Sequence, residues 1–200
     1  PFLISNDMDL ARLEHEVNNG AAQQMFSQKY FKLTKDIDLS KGLWTPIGTA
    51  QGIAKATDGH FFAGKFDGDG HSVSNLLIKW SFNTAKEASW GLFARLNGKG
   101  NNENEYAAVT NLIIDNARIE KKAAHTPLNN ANYTVKMGIV VADMTQNAEL
   151  SNIIIRNSKI TDNNESFSTK TKFRIGGIAG YLNNFVSLRI FNISADTEID

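Results

Sequence analysis

Two carboxylates separated by a glycine are the first residues whose types and spacing suggest chemistry. Asp67 and Asp69 lie in the segment Asp67-Gly-Asp-Gly-His71, and alternating carboxylates can bind a calcium ion. An EF-hand loop would also need an oxygen ligand at its fifth position, glycine at its sixth and a distal glutamate, whereas His71 and Ser72 occupy the fifth and sixth positions. The segment therefore favours a tight turn, with calcium binding at Asp67 and Asp69 as the alternative.

Charged side chains in two similar segments suggest a second kind of site. Asp115 and Arg118 correspond to Arg156 and Lys159 in the later segment. Enzymes that cleave polysaccharides use clustered carboxylates as acids and bases. These positions alternate with apolar residues, however, which is typical of a strand with one solvated face. We therefore interpret the charges as an outer surface and predict no catalytic residue.

Aromatic side chains beside the predicted strands suggest glycan binding, because their rings can stack on sugar faces. Trp80, Phe82, Tyr106 and Tyr133 lie in or next to segments of irregular pattern, where exposure is expected. The alternative is that these rings hold loops against the body of the protein. Trp80, Tyr106 and Tyr133 are the candidate ligand-binding residues.

Composition argues against several other functions. The chain has no cysteine, and its four histidines show no paired spacing and no H-E-x-x-H motif, so we predict no zinc. A G-x-S-x-G motif is also absent, and we predict no cofactor. Lys+Arg 21 and Asp+Glu 21 balance, which predicts no nucleic-acid partner. Apolar runs are far shorter than the roughly 20 residues of a membrane helix, so this segment is not expected to insert into a membrane.

A repeated asparagine segment indicates which elements position these residues. Val109-Thr-Asn-Leu-Ile-Ile-Asp-Asn-Ala-Arg-Ile119 returns as Leu150-Ser-Asn-Ile-Ile-Ile-Arg-Asn-Ser-Lys-Ile160. Shorter copies place further asparagines at positions 75 and 192. Such a period is typical of stacked repeats. We expect Asn75, Asn111, Asn152 and Asn192 to align in a structural ladder of hydrogen-bonded amides.

A glycine segment precedes three of the four asparagine segments, at Trp90-Gly-Leu-Phe-Ala94, Met137-Gly-Ile-Val-Val-Ala142 and Ile175-Gly-Gly-Ile-Ala-Gly180. Both kinds of segment are β-branched and too short for helices. They predict an all-β fold, a right-handed single-stranded parallel β-helix (β-solenoid) with three strands per turn. We expect one domain over residues 1–200, with a helical cap at 1–28, first coils at 29–89 and regular repeats at 90–200.

The two ends of the chain carry different signals. Ser5-Asn6-Asp7 precedes Leu10, Leu13 and Val17, which predicts a short capping helix at about 7–18. No comparable capping pattern occurs before Asp200. We therefore expect the segment to belong to a longer protein, or a partner to cover that end.

Several short motifs resemble the GLUG-motif β-helix proteins, which are large secreted or surface-anchored bacterial proteins, many from gut Bacteroidetes. The motifs span residues 31–39, 44–48, 66–71, 91–93 and 176–180. Relatives of that family include adhesins and the N-terminal region of immunoglobulin-A-specific metallopeptidases. Val140-Val-Ala142 and Asp69 depart from the usual pattern. The resemblance implies an extracellular or cell-surface protein and transfers no catalytic residue.

We therefore predict a non-enzymatic, adhesin-like domain that presents loops to a glycan or to a host or bacterial surface protein, with further domains in the parent chain. The loops are expected at 97–108, 121–135 and 162–172. One alternative is a polysaccharide-processing enzyme, lyase-like or glycosidase-like, or its accessory module. The other is a structural stalk that holds another domain away from the cell.

Overall fold

The protein consists mostly of short parallel strands together with one helix. The computed structural model describes residues 1–20, 26–48, 60–80, 87–98, 105–121, 133–161, 171–183 and 188–200. Most of the predicted loops, and Phe82, lie outside these ranges. The described residues form the helix α1 (Asp7–Asn19) and the strands β1 (Phe2–Ile4), β2 (Tyr30–Leu33), β3 (Ile37–Asp38), β4 (Lys65–Asp67), β5 (Ser72–Ser74), β6 (Leu77–Trp80), β7 (Glu87–Trp90), β8 (Phe93–Asn97), β9 (Ala107–Asp115), β10 (Arg118–Lys121), β11 (Tyr133–Gly138), β12 (Val141–Thr145), β13 (Ala148–Thr161), β14 (Thr171–Gly176), β15 (Ala179–Asn183) and β16 (Leu188–Ile199).

Three parallel sheets organise these strands. The largest has ten strands, with the order β1-β2-β4-β9-β13-β10-β6, while β16 pairs with β13 and β5 pairs with both β3 and β9. The other two sheets each have three strands, in the orders β14-β11-β7 and β15-β12-β8. We call β7–β10, β11–β13 and β14–β16 the first, second and third repeats.

Equivalent residues of the three repeats are paired in register. Leu112 of the first repeat pairs with Ile153 of the second, which pairs with Ile193 of the third. In the glycine segments, Met137 pairs with both Trp90 and Ile175. Because side chains alternate between the two faces of a strand, this register keeps aliphatic positions of successive repeats on the same, inward face.

The predicted right-handed single-stranded parallel β-helix, or β-solenoid, is wrong for this chain. The strands of the described residues form three separate parallel sheets of ten, three and three strands, and no regular coil of three strands per turn is seen among them. One reason is that β13 continues from Ala148 to Thr161 through Asn157, where a bend was predicted to separate two strands. A second reason is that β1–β6 contribute only to the largest sheet, so the early chain adds no strand to the other two.

The helix α1 confirms the short helix predicted at about residues 7–18. Its N-cap is Asn6, whose Oδ1 accepts a hydrogen bond from the backbone N–H of Asp9 at 2.9 Å. Leu10, Leu13 and Val17 follow at helical spacing and are buried against the body of the protein. No helix within the described residues has the length and hydrophobicity needed to cross a lipid bilayer.

Glycine allows a very close approach between the two small sheets. β11 ends at Gly138, and β12 begins three residues later at Val141. A Cβ atom at Gly138 would lie 2.3 Å from the carbonyl oxygen of Val141 and 2.7 Å from the backbone nitrogen of Gly180. No other residue fits there, because the nearby atoms belong to the backbone and cannot rotate away.

Candidate functional site

A row of hydrogen-bonded asparagines crosses the largest sheet. Asn192 donates from Nδ2 to Oδ1 of Asn152 at 2.8 Å, and Asn152 donates in the same way to Asn111 at 2.7 Å. Asn111 donates to Oδ1 of Asp67 at 2.9 Å. We call these four residues the first asparagine row. All its amides donate in the same direction, and the row ends on a carboxylate, which only accepts.

Asn75 lies elsewhere than the sequence pattern predicted. Instead of joining Asn111, its Oδ1 accepts from Nδ2 of Asn116 at 2.7 Å, and its own Nδ2 donates to Oδ1 of Asp38 at 2.8 Å. The reason is register, because β5 pairs with the second half of β9, which places Val73 opposite Ile114. Asp38, Asn75 and Asn116 form a second asparagine row, and this row also ends on a carboxylate.

Backbone conformation explains why asparagine recurs in both rows. Each asparagine of the rows has a φ angle between 53° and 58°, in the left-handed region. Most side chains are strained there, but asparagine tolerates this region well. One residue type therefore forms the local kink and also supplies the amide. The residues concerned are Asn75, Asn111, Asn116, Asn152 and Asn192.

Asp67, where the first row ends, is surrounded by hydrogen-bond donors. Besides the bond from Asn111, its carboxylate accepts from Oη of Tyr30 at 2.6 Å and from the backbone N–H of Asp69 at 2.9 Å. Burial raises the pKa of Asp67, but the hydrogen bonds from Tyr30 and Asn111 outweigh it, and the net pKa lies below its usual value. The Tyr30–Asp67 bond raises the pKa of Tyr30 to about 12.

Calcium binding at Asp67 and Asp69 finds little support in this geometry. The Asp67 oxygens accept hydrogen bonds, and the Asp69 carboxylate forms an ion pair with Nζ of Lys32 at 2.9 Å. A hard cation needs several free oxygen ligands. Among the described residues, no group of three or more Asp, Glu or His is placed to bind a metal ion.

Two open grooves follow the asparagine rows. The first has a volume of about 320 Å³ and is lined by Asn111 and Asn152 of the first row, together with Asp69, Gly70, Ile113 and Ile154. The second, of about 400 Å³, lies beside the second row and is lined by Ser40, Lys41, Gly42, Leu43, Asn75, Leu76, Leu77, Asn116 and Arg118. Amide groups that are held in place by one another thus line both grooves. We call them the amide grooves.

The three candidate aromatic residues do not form one platform. Trp80 is fully buried in the core, so the prediction that it is exposed is wrong; as the last residue of β6 it packs inward, like Ile78 two positions before it. Tyr106 is half-buried, with Nζ of Lys65 at 4.0 Å and Cζ of Arg189 at 5.5 Å from its ring centre. Tyr133 begins β11, and its side chain lies outside the described residues.

The repeated charge pairs lie side by side as their spacing predicted. Asp115 is paired in register with Arg156, and Arg118 with Lys159. The Asp115 carboxylate accepts a hydrogen bond from Nδ2 of Asn157 at 2.9 Å. Arg118 and Arg156 are exposed, as expected for a solvated face of a sheet.

Sequence reasoning missed a buried charged cluster where the two small sheets meet. Nζ of Lys136 lies 2.7 Å from Oδ2 of Asp143 and 3.2 Å from Oε2 of Glu87. Nε of Arg95 lies 3.9 Å from the same Asp143 oxygen. Lys136 and Asp143 side chains are only 3% and 1% exposed. We call Glu87, Arg95, Lys136 and Asp143 the charged cluster.

A signal for this cluster is present in the sequence. Lys136 stands two positions before Gly138, and Asp143 stands two positions after Val141, so the glycine bend is flanked by opposite charges among apolar neighbours. Because β11 folds closely against β12 at this bend, both residues point toward the same space. The close approach of the two strands could not be inferred from alternation alone.

A comparison with curated proteins finds a similarity to halomucin. The chain is 28% identical over 184 residues to halomucin from Haloquadratum walsbyi, a match that covers 90% of this chain and 2% of halomucin. The chain thus spans only a small fraction of the length of that relative. No model of a known protein family matches the chain. No solved structure matches it either.

Proposed function

We propose that the chain is a non-enzymatic segment of a secreted or cell-surface protein, adhesin-like in function, and that it binds glycan or a surface protein. Two observations support an extracellular location: the similarity to halomucin, whose name is that of a mucin-like protein, and the resemblance of the motifs at 31–39, 44–48, 66–71, 91–93 and 176–180 to GLUG-motif proteins. These two observations concern only the class of protein. The proposed binding surface is formed by the amide grooves.

The fixed amides of the grooves are the observation that carries this proposal. In the first groove, Asn111 and Asn152 each donate one amide hydrogen along the row, so each side chain retains a second N–H group. Ile113 and Ile154 line the same groove and are half-buried. A sugar offers the matching chemistry, with hydroxyl groups for the amides and C–H faces for the isoleucines. Because the amides are already ordered, binding costs little side-chain entropy.

A binding screen with a groove variant tests the proposal. The 200-residue chain is applied to a glycan array and to immobilised mucins and extracellular-matrix proteins. Ile154→Arg places a long charged side chain in the first groove and is expected to reduce any binding at least about tenfold, equivalent to 1.4 kcal/mol. Thr134→Arg, on the separate β11 sheet, is the matched control and should bind normally.

The outcomes separate the alternatives. Binding that both variants retain would place the ligand outside the first groove, and Arg118→Glu would then test the second groove, which Arg118 lines. Failure of the wild-type chain to bind any glycan or protein on the panel would contradict the proposal and favour a structural stalk. Location is tested by antibody labelling of intact cells that produce the native protein.

A polysaccharide-processing function is the second candidate, and the charged cluster is the observation that favours it. Lyases and glycosidases need carboxylates close to basic groups, as Asp143 and Lys136 are. Burial opposes this function, because a substrate must reach such groups. Incubation with acidic and neutral polysaccharides should release no new reducing or unsaturated ends. Cleavage that Asp143→Asn abolishes, with the fold intact, would replace our proposal with this one.

A further inference from the structure

The charged cluster holds an amine and a carboxyl group against each other, away from water. Nζ of Lys136 lies 2.7 Å from Oδ2 of Asp143, and both side chains are almost fully buried. Oε2 of Glu87, on the neighbouring strand β7, lies 3.2 Å from the same Nζ, and Glu87 is the most exposed of the three side chains. Burial keeps an external substrate away from Lys136 and Asp143, but it does not prevent a reaction between them.

The glycine bend fixes the separation of these two groups. Lys136 stands two positions before Gly138, where β11 ends, and Asp143 is the third residue of β12. Both strands pair with a parallel neighbour on each side, so the backbone that carries the two groups is held in place. Groups fixed in this way react as if each were present at about 10⁵–10⁸ M, provided that the reacting atoms are aligned.

Aromatic rings border the cluster and lower its polarity. Nζ of Lys136 lies 5.0 Å from the ring centre of Tyr181, and Cζ of Arg95 lies 5.7 Å from that of Phe61. Oδ1 of Asp143 is buried and has no hydrogen-bond partner among the described residues. An ionised carboxylate with such an oxygen is costly in a nonpolar environment, whereas an amide carries no charge. The surroundings therefore favour a neutral product over a buried ion pair.

We propose that Lys136 and Asp143 become joined by an intramolecular amide (isopeptide) bond, with Glu87 as the catalytic residue that moves the proton. A proton first passes from the Lys136 ammonium to the Asp143 carboxylate, which gives a neutral amine and a neutral carboxylic acid. Nζ then bonds to Cγ of Asp143, and one of its hydrogens passes as a proton to Glu87. Glu87 returns this proton to the hydroxyl group on Cγ, the C–O bond breaks, and one water molecule leaves.

All atoms in this step come from the two side chains. One N–C bond replaces one C–O bond, and an amine hydrogen leaves with the carboxyl hydroxyl group as water. Negative charge develops on the Asp143 oxygens in the tetrahedral intermediate, and Arg95, whose Nε lies 3.9 Å from Oδ2, is a cation placed to stabilise it. The product closes a covalent ring across the glycine bend, so β11 and β12 cannot separate there.

A surface ion pair provides an internal control. Nζ of Lys159 lies 3.0 Å from Oε1 of Glu198, and these side chains are 27% and 63% exposed. Water solvates both charges at such a site, so the ion pair has little tendency to become neutral. Lys159 should therefore remain an unmodified lysine.

Mass spectrometry of the 200-residue chain tests the proposal. The folded chain should be lighter than its sequence by one water molecule. Trypsin does not cleave after an acylated lysine, so residues 123–156 should appear as one peptide that is lighter by one water, while cleavage after Lys159 should be complete. Chain isolated in urea before it folds should have its full mass and should lose the water during refolding.

Variants separate the covalent bond from the ion pair. Lys136→Arg keeps the positive charge but has no amine to acylate, so it should keep its full mass and be cleaved after position 136. Glu87→Gln removes the proton acceptor and should slow the loss of water during refolding at least about tenfold. Glu120→Gln, on β10, is the matched control and should react at the wild-type rate.

Three wild-type results would overturn the proposal, and none of them depends on whether a variant folds. The first is a refolded chain that keeps its full mass. The second is loss of water with normal cleavage after Lys136, as a succinimide at another residue would give. The third is a link between residues 87–95 and 123–156, because Glu87 would then be the acylated partner. A wild-type rate in Glu87→Gln would overturn the catalytic role of Glu87.

Discussion

At the scale of single residues, the asparagines combine two properties that no other common residue offers together. They tolerate the left-handed backbone at positions such as 111 and 152, and their side chains bond to the equivalent asparagine of the neighbouring strand. The rows end where asparagine is replaced by aspartate, at Asp38 and Asp67. An amide both donates and accepts, whereas a carboxylate only accepts. All hydrogen bonds of a row therefore run in the same direction, and the row ends at the aspartate.

Substitution of Asn152 separates the backbone role from the amide role. Asn152→Gly keeps the left-handed conformation and removes the side-chain bonds, each of which contributes about 1 kcal/mol. Asn152→Ala removes the bonds and adds strain of about 1–2 kcal/mol. Urea unfolding should therefore rank wild type above Gly and Gly above Ala. Equal stability of the Gly variant and the wild type would show that the row contributes nothing.

Aspartate at the end of the first row makes stability depend on pH. The pKa of Asp67 is lower in the folded protein than its usual value, so its contribution to stability is present above the ordinary pKa and is lost as pH falls through the folded value. Asp67→Asn should cost about 1–3 kcal/mol at pH 7. The difference from wild type should shrink below about pH 4. Urea unfolding from pH 7 to pH 2.5 measures this, and a difference that stays constant with pH would contradict it.

At the scale of elements, the glycine bends decide how closely the two small sheets approach. A Cβ atom at Gly138 would lie within 2.3 Å of a backbone carbonyl oxygen, whereas a Cβ atom at Gly42 would meet nothing within 4 Å. Gly138→Ala should therefore cost several kcal/mol, about 3 or more, or prevent folding. Gly42→Ala should stay within about 1 kcal/mol of wild type. Thermal unfolding compares the two, and similar midpoints would show that the backbone can separate at the bend.

Charge pairing beneath the same bend can be tested by a double-mutant cycle. Lys136→Met leaves Asp143 buried without its closest cation, and such a loss typically costs about 3–5 kcal/mol. Adding Asp143→Leu removes the stranded carboxylate and should recover much of the loss. Urea unfolding of the two single variants and the double variant gives the coupling energy. Additive losses would show that Lys136 and Asp143 do not depend on each other.

How far the sequence predicts these elements depends on whether the deciding contacts are local. Alternation and helical spacing are local, so the strands of the asparagine segments and α1 were predictable. The register of β5 against β9 is not local, and for that reason Asn75 was assigned to the wrong row. Burial of Trp80 and assembly of the charged cluster depend on strands that are distant in sequence, and the arrangement in three sheets depends on strands continuing through predicted bends.

At the scale of the whole molecule, the third repeat has fewer neighbours than the second. Within the described residues, β11, β12 and β13 pair on both sides, whereas β14, β15 and β16 pair on one side only. Ile190 and Ile199 of β16 are 39% and 48% exposed, while their register partners Leu150 and Ile160 are buried. Such repeat assemblies are stabilised mainly by contacts between neighbours, so a repeat with one neighbour is less stable than a repeat with two.

This asymmetry predicts a gradient of local stability along the 200-residue chain. Amides of β9 and β13 lie between two parallel neighbours and should exchange most slowly, whereas those of β14–β16 should open first. The third repeat should therefore exchange before global unfolding, at lower urea concentrations than the second. Native-state hydrogen exchange at increasing urea measures the order. A single opening free energy for β13 and β16 would contradict the prediction, because the sheets would then unfold as one unit despite the missing neighbour.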